Sequence, residues 1–352
     1  MAKERLFNLP ETKGSYQLRG IVSGTSSDRF YQNGKTSTGK DKRSVNFGVE
    51  VEKGKKLYVG MKAFPREEVF FYKRGENGAK GSVERVKWAN RHTFNKEGYK
   101  LIGINIGLTK VVGSDGNIKN DNKTMVEFDA CDSIGKNLQD GMCVFVKGGI
   151  EFSSFPTDDG SVRRMTIFTP NQISLCKEID FDDEKFEAQH DFTQNIVFMG
   201  VEQEKENDKP TGRFLVSAKI VTYSTIEDTT FVITDSKLAN MFKKNLKPYT
   251  AINVWGRIDA TTLTEEVDSD DCWGESNNMT KVSAPTRREL IITGADPKTI
   301  DKTVYTKEEM ESAMIKIKNA QNAQSDYGDN SSSGWGDPSS LASDDEEDDA
   351  WD

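Results

Sequence analysis

Only two histidines, His92 and His190, occur in 352 residues. Neither sits in an HExxH pattern or near a cysteine at ligand spacing, which argues against a zinc site or a histidine-based triad. Cysteine is equally sparse: Cys131, Cys143, Cys176 and Cys272 are scattered, with no CxxC pair. Buried free thiols are the expectation, ahead of disulfides or metal. Long apolar runs are missing too. The longest, residues 196–201, contains a glycine and is far too short to cross a bilayer. The opening "MAKERLFNLPETKG" lacks the apolar core of a secretory signal. "NGKTST" (33–38) ends like a phosphate loop, but position 29 is Arg29 where that motif needs glycine. The acidic clusters at 157–161 and 268–271 follow no calcium-loop spacing. These absences leave no constellation for catalysis, and no cofactor, metal or membrane contact is expected. A cytoplasmic setting follows as an expectation.

What is present is charge, unevenly placed. Residues 1–175 hold 29 Lys and Arg against 20 Asp and Glu, residues 176–320 hold 19 against 27, and residues 321–352 hold none against 10. A basic front and an acidic end on one chain suggest a polyanionic partner and a segment that imitates it. Between them, runs rich in Val, Phe and Tyr alternate apolar and polar at 15–24, 43–52, 56–64, 99–108, 124–130, 142–152 and 163–169, and again at 194–202, 212–223, 229–235, 250–259 and 287–294. That period predicts strands and a mainly β protein.

An internal repeat sharpens the prediction. "VEFDACDSIGKNLQDGMCVFVKGGIE" (126–151) resembles "FVITDSKLANMFKKNLKPYTAINVWGRID" (231–259). Each has a strand, Asp-Ser, a short helix ending Lys-Asn-Leu, and a strand ending near glycine and an acid. Each then has a loop and a strand starting with paired arginines, Arg163-Arg164 and Arg287-Arg288. Strand, helix, strand, loop, strand is the back half of an OB barrel. The expected architecture is therefore two OB-fold-like barrels in tandem, a C-terminal helix and a disordered acidic tail. The boundaries are 1–176 for the first barrel, with an insertion near 65–122, 177–191 for a linker, 192–305 for the second barrel, 306–320 for the helix and 321–352 for the tail. Thr306 and Glu309 form a capping box at the helix start, with Met310, Met314 and Ile317 on the face that docks on the second barrel.

Binding chemistry concentrates in the first half. In the insertion, Phe70, Phe71, Tyr72, Lys73, Arg74, Arg85, Lys87, Trp88, Arg91, His92 and Phe94 interleave rings and cations. A single strand of nucleic acid offers phosphates to the cations and base faces to the rings. The loop at 26–43 adds Arg29, Phe30, Tyr31, Lys42 and Arg43, and is expected to be a flexible flank of the OB groove. Arg163 and Arg164 follow the loop on its other flank. The second barrel's last loop, 260–278, is acidic and is expected to repel phosphates, so that barrel is assigned to protein contact or architecture.

A basic, aromatic OB barrel, a polar linker and a tail of Asp344, Asp345, Glu346, Glu347, Asp348 and Asp349 followed by Trp351 together resemble the OB-fold single-stranded DNA-binding proteins of replication. The bacteriophage type, with its dense acidic run closed by an aromatic, is the nearer likeness. The tandem barrels and the final Asp352 depart from the bacterial pattern. The resemblance implies sequence-nonspecific single-stranded DNA binding in replication, recombination or repair, with the tail competing for the DNA groove. It also implies replication proteins (polymerase, helicase or primase) recruited through the tail, self-association as a further contact, and a bacterial host cell if the gene is a phage's. The alternatives are a protein-interaction or assembly module whose tail mimics nucleic acid, and single-stranded RNA binding.

Overall fold

The computed structural model describes residues 5–75, 79–114, 116–157, 161–262 and 286–326. The expected tail residues Asp344 to Asp349 and Trp351, and the acidic loop from 263, lie outside them. The strands are β1 (Gly14–Ser23), β2 (Tyr31–Lys35), β3 (Asp41–Glu52), β4 (Lys55–Ala63), β5 (Glu68–Lys73), β6 (Ser82–Lys87), β7 (Lys100–Leu101), β8 (Ile104–Gly107), β9 (Lys110–Val112), β10 (Ile118–Asn120) and β11 (Lys123–Met125). After helix α1 (Glu127–Asn137) come β12 (Cys143–Pro156), β13 (Val162–Leu175), β14 (Gln189–Glu206), β15 (Lys209–Val221) and β16 (Ile226–Ile233). Then follow α2 (Ser236–Asn245), β17 (Thr250–Thr262), β18 (Thr286–Asp301) and α3 (Lys307–Asp326). The protein is mainly β.

The pairings make two circuits. β1 pairs with β3, β3 with β4, β4 in parallel with β13, β13 with β12, and β12 with β1 again. In the second half β14 pairs with β15, β15 with β16, β16 in parallel with β18, β18 with β17, and β17 with β14. A helix precedes the fourth strand of each circuit, α1 in one and α2 in the other. One antiparallel pairing, β1 with β14, joins them. Tyr16 faces Gly148 across β12, Phe192 faces Gly256 across β17, and Tyr16 and Phe192 face each other. The circuits are thus related by a local two-fold through that pair.

The repeat seen in the sequence has a steric cause at its glycines. The ladder shifts register at Lys147/Gly148 in one repeat and at Trp255/Gly256 in the other. A Cβ on Gly148 would lie 1.9 Å from the Thr169 carbonyl oxygen, and one on Gly256 would lie 1.8 Å from that of Ile291. Only glycine lets the neighbouring strand approach so closely at the bulge.

Strands hide alternate residues. Val45, Phe47 and Val49 on β3, Leu57 and Val59 on β4, and Val144 and Val146 on β12 line the first interior with Ile134 of α1. Val216, Phe231, Ile252, Val254, Ile258 and Phe242 of α2 line the second, and the same cluster runs through both. A separate cluster of Phe7, Leu9, Val197, Val221, Tyr305, Met310 and Ala313 fastens α3 to the second circuit. The capping box is in place: Thr306 Oγ1 donates to Glu309 Oε2 at 2.9 Å, and the Glu309 amide donates to Thr306 Oγ1 at 3.3 Å.

Three elements differ from expectation. "TMVEFDA" alternates like a strand, yet only Lys123–Met125 is one, and α1 begins at Glu127. Val126, Ala130 and Ile134 are the buried residues at helical spacing that decide the matter. The expected strand at 99–108 divides into β7 and β8, in different sheets. α3 continues to Asp326, past the expected stop at 320.

Candidate nucleic-acid interface

The insertion builds its own small sheet, in the order β6-β5-β7. Val69 and Phe71 of β5 point inward onto Val86 and Val126, and Trp88, Phe94, Tyr99 and Leu101 pack against them. Phe71 is 6% exposed and its ring centroid lies 4.5 Å from that of Phe94. Phe71 and Phe94, expected to stack on bases, are this sheet's core. The opposite face is open, because alternation turns Phe70 and Tyr72 away from that core. On β6, Val83, Arg85 and Lys87 stand opposite Tyr72, Phe70 and Glu68. The Arg85 guanidinium lies 5.9 Å from the Phe70 ring centroid. Lys100 pairs with Tyr72 on the other edge, and Ile102 beyond it is exposed. Tyr72 itself is 42% exposed. Rings and cations thus share one accessible surface. Lys73 is half-buried beside Gly98, and Arg74 is exposed just beyond β5.

Trp88 and Arg91 have a different task from the one expected. Arg91 makes a bidentate pair with Asp129 of α1, at 2.8 and 3.1 Å, and also donates to the Trp88 carbonyl at 3.0 Å. Its guanidinium covers the Trp88 ring at 4.0 Å, while the Phe128 ring meets the same indole edge-on at 6.0 Å. Arg66 adds a 2.9 Å contact to Glu127. With both cation and ring engaged, this pair clamps the insertion to α1.

The loop at 26–43 is an ordered arm, not a flexible flank: β2 pairs with β3 from Tyr31 opposite Val45 to Lys35 opposite Asp41. Phe30 is buried in the first interior, so its ring is unavailable for stacking. The Tyr31 hydroxyl donates to Asp132 Oδ1 at 3.1 Å, and burial, then that bond, raise the phenol above its ordinary value. Arg43 lies 4.1 Å from the Phe128 ring centroid and donates to the Phe128 carbonyl. Arg29 is exposed, and Lys42 sits half-buried one residue from Arg43, on the opposite face of β3.

Arg163 and Arg164 lie near the start of β13, opposite Phe155 and Ser154. β12 and β13 form a long hairpin that reaches the other circuit. Ser154 Oγ donates to Glu227 Oε2 of β16 at 2.5 Å. Arg164 lines a polar cleft of about 330 Å³ with Ser217, Lys219, Asp228 and Thr230. The second hairpin, β17 and β18, returns the gesture: Lys55 of β4 bonds Asp259 at 2.8 Å and Glu52 at 2.8 Å. His190 Nε2 lies 3.0 Å from Glu52 Oε1. Partial burial alone would raise the Glu52 carboxyl, but Lys55 and His190 outweigh it and hold it below its usual range.

Two of the thiols are shifted upward by burial, Cys131 and, less deeply buried, Cys176. Burial pushes the Cys131 thiol up to about 12, which keeps it protonated and inert. Among the described residues no three of His, Cys, Asp or Glu gather as metal ligands, and no helix is long and apolar enough to cross a membrane.

A family model described as YorF matches residues 73–330. The chain belongs to the YorF family. The matched span of this YorF-family chain begins inside the insertion and takes in the whole second circuit. No curated protein matches the sequence. Among solved structures, a deletion mutant of the single-stranded DNA binding protein from Thermus aquaticus is similar over 81% of this chain and 94% of its own, at 10% identity and a TM-score of 0.39. The wild-type form is similar over 82% and 93%, at 8% and 0.38. The Plasmodium falciparum SSB in complex with ssDNA is similar over 50% and 100%, at 9% and 0.18. Likenesses this low carry no assignment of function.

Proposed function

We propose that this protein is a non-enzymatic binder of single-stranded DNA, holding the strand on its first repeat by phosphate neutralisation and base stacking. The observation that carries the proposal is the open face of Phe70, Tyr72, Arg85, Lys87 and Lys100. Little sequence preference is expected, since every base has a π-face. We read each circuit as an OB barrel. The order first-second-third-fifth-fourth-first, the parallel third-to-fifth pairing and the helix before the fourth strand all support that reading. Replication, recombination and repair are the processes in which such a coat acts. The acidic run ending in Trp351 is proposed to compete for the basic face and to be bound by replication proteins, inside the cytoplasm.

A salt titration with labelled oligo-dT tests the reading. Affinity should fall steeply, with log K declining by about 0.7 per phosphate contact for each unit of log salt. Absence of binding at low salt, or binding flat in salt, contradicts it. Removing residues 341–352 should tighten binding, most at low salt, and an unchanged affinity contradicts the tail's role. One observation favours a protein-contact function beside this one. The β9–β10 hairpin exposes Val112 and Ile118 side by side, an apolar pair that nucleic acid does not need.

A further inference from the structure

The outer face of β3 and β4 carries Lys42, Asn46, Lys56 and Tyr58. None of the rings singled out in the sequence lies there, yet Tyr58 is 39% exposed. It stands opposite Gly48 on β3, whose missing side chain leaves room for the Lys56 stem. The cation beside the ring comes from the other repeat: the Arg288 guanidinium of β18 lies 5.0 Å from the Tyr58 centroid. The Lys55–Asp259 pair pins the β17–β18 hairpin in that position, one residue from Ala260, the partner of Arg288.

Equivalent positions in the other repeat follow from the ladder. Starting at the bulge glycines and counting along paired strands, Tyr58 corresponds to Thr230, Gly48 to Ser217, Arg288 to Thr166 and Lys55 to Glu227. The same fold therefore stands without a ring, a cation or a lysine at these places. Closing the hairpin over the neighbouring circuit does not demand Tyr58 or Arg288, since in the other repeat Ser154 and Glu227 do so.

We infer that Tyr58 and Arg288 form a second base-stacking station, assembled from both repeats, for a single-stranded DNA that also crosses the Phe70–Tyr72 face. This rests on the DNA-binding reading above. A planar base on Tyr58 gains ring contact, and Arg288 beside it offers a planar cation to a base face or a phosphate. The station asks the two hairpins to be closed, so the strand reads the joined repeats and not one alone.

The experiment measures the affinity of the full chain for long and short labelled oligo-dT with Tyr58→Ala, Tyr58→Phe, Arg288→Ala and the double variant, beside Tyr72→Ala, with thermal unfolding of each. Tyr58→Ala should weaken binding of the long oligonucleotide about tenfold, while Tyr58→Phe retains it. The double variant with Arg288→Ala should lose less than the product of the two single losses, because both act at one station. An oligonucleotide short enough to occupy only the Phe70–Tyr72 face should be indifferent to Tyr58. If Tyr72→Ala weakens binding but Tyr58→Ala changes only the unfolding temperature, the Tyr58–Arg288 contact is a clasp and the inference is overturned, with DNA binding intact. If wild-type protein binds no oligo-dT at low salt, the DNA-binding reading itself fails.

Discussion

The two repeats share a backbone plan and differ in what they carry on it. At matching positions the outer face bears Gly48 and Tyr58 in the first repeat and Ser217 and Thr230 in the second, and on the other side of the same strands Lys55 matches Glu227. The first passes from its third strand to its helix through 63 residues, Phe64 to Val126, which include the ring-and-cation sheet; the second passes from β16 to α2 through two residues. The interiors, the bulge glycines and the parallel closure are common to both. Much of what differs lies on the outer strand faces and in the first repeat's inserted sheet, which has a core of its own around Phe71.

The shared frame breaks first at the core. Phe231 is fully buried, lies 6.0 Å from Phe192 in stacked geometry and 6.4 Å from Phe152 of the other repeat. Phe231→Ala should cost about 3–5 kcal/mol in urea unfolding, and because the ring joins both interiors the transition should stay single. Two separate transitions would mean that the repeats fold independently. Next come the bulges. Gly148→Ala and Gly256→Ala should each destabilise by about 2–3 kcal/mol, and equal losses would confirm their equivalence. A cost at one position alone would mean that the ladders differ more than their registers imply.

Alternation within β5 offers a sharper contrast. Phe70→Ala or Tyr72→Ala should lower oligo-dT affinity several-fold with little change in unfolding temperature, whereas Phe71→Ala should lower the unfolding temperature through its buried cluster. The opposite pattern would reverse the faces assigned here.

The smallest contrast is electrostatic and lies at the matching acids, Glu151 and Asp259. Burial raises the Glu151 carboxyl above its ordinary value, partly offset by a bond from Thr169. A carboxylate with a raised folded pKa weakens folding once pH exceeds its unfolded value, near about 4.3. Glu151→Gln should therefore be more stable than wild type at neutral pH, and that gain should vanish as pH falls below about 4. Asp259→Asn should instead lose a partly exposed ion pair with Lys55, at most about 1 kcal/mol, and less in high salt. A pH-independent difference for Glu151→Gln would contradict the burial argument.

Much of this frame was legible in the sequence because its signals are local. The glycines at 148 and 256, the helix ends at Leu138 and Leu246, and the Thr306–Glu309 box each act over a few residues. Other features were not local. Phe70 and Phe71 differ by one residue, and composition cannot say which of two neighbouring rings faces a core. The reach of the β12–β13 hairpin, which sets Arg164 beside Ser217 and Asp228 of the other circuit, is likewise a tertiary fact. Tyr58 and Arg288 are far apart in the chain, and they meet because the pairing of β1 with β14 and the reach of the β17–β18 hairpin bring their repeats together. Trp88 and Arg91 looked like ligand-binding residues because a clamp and a binding face use the same side chains.

Photo-crosslinking of the full chain to oligo-dT, with the modified peptides mapped by mass spectrometry, tests the central claim most directly. The account predicts crosslinks in the peptides that contain Phe70, Tyr72 and Tyr58, and none on the β15–β16 face around Ser217 and Thr230. Crosslinks confined to that second-repeat face would contradict it.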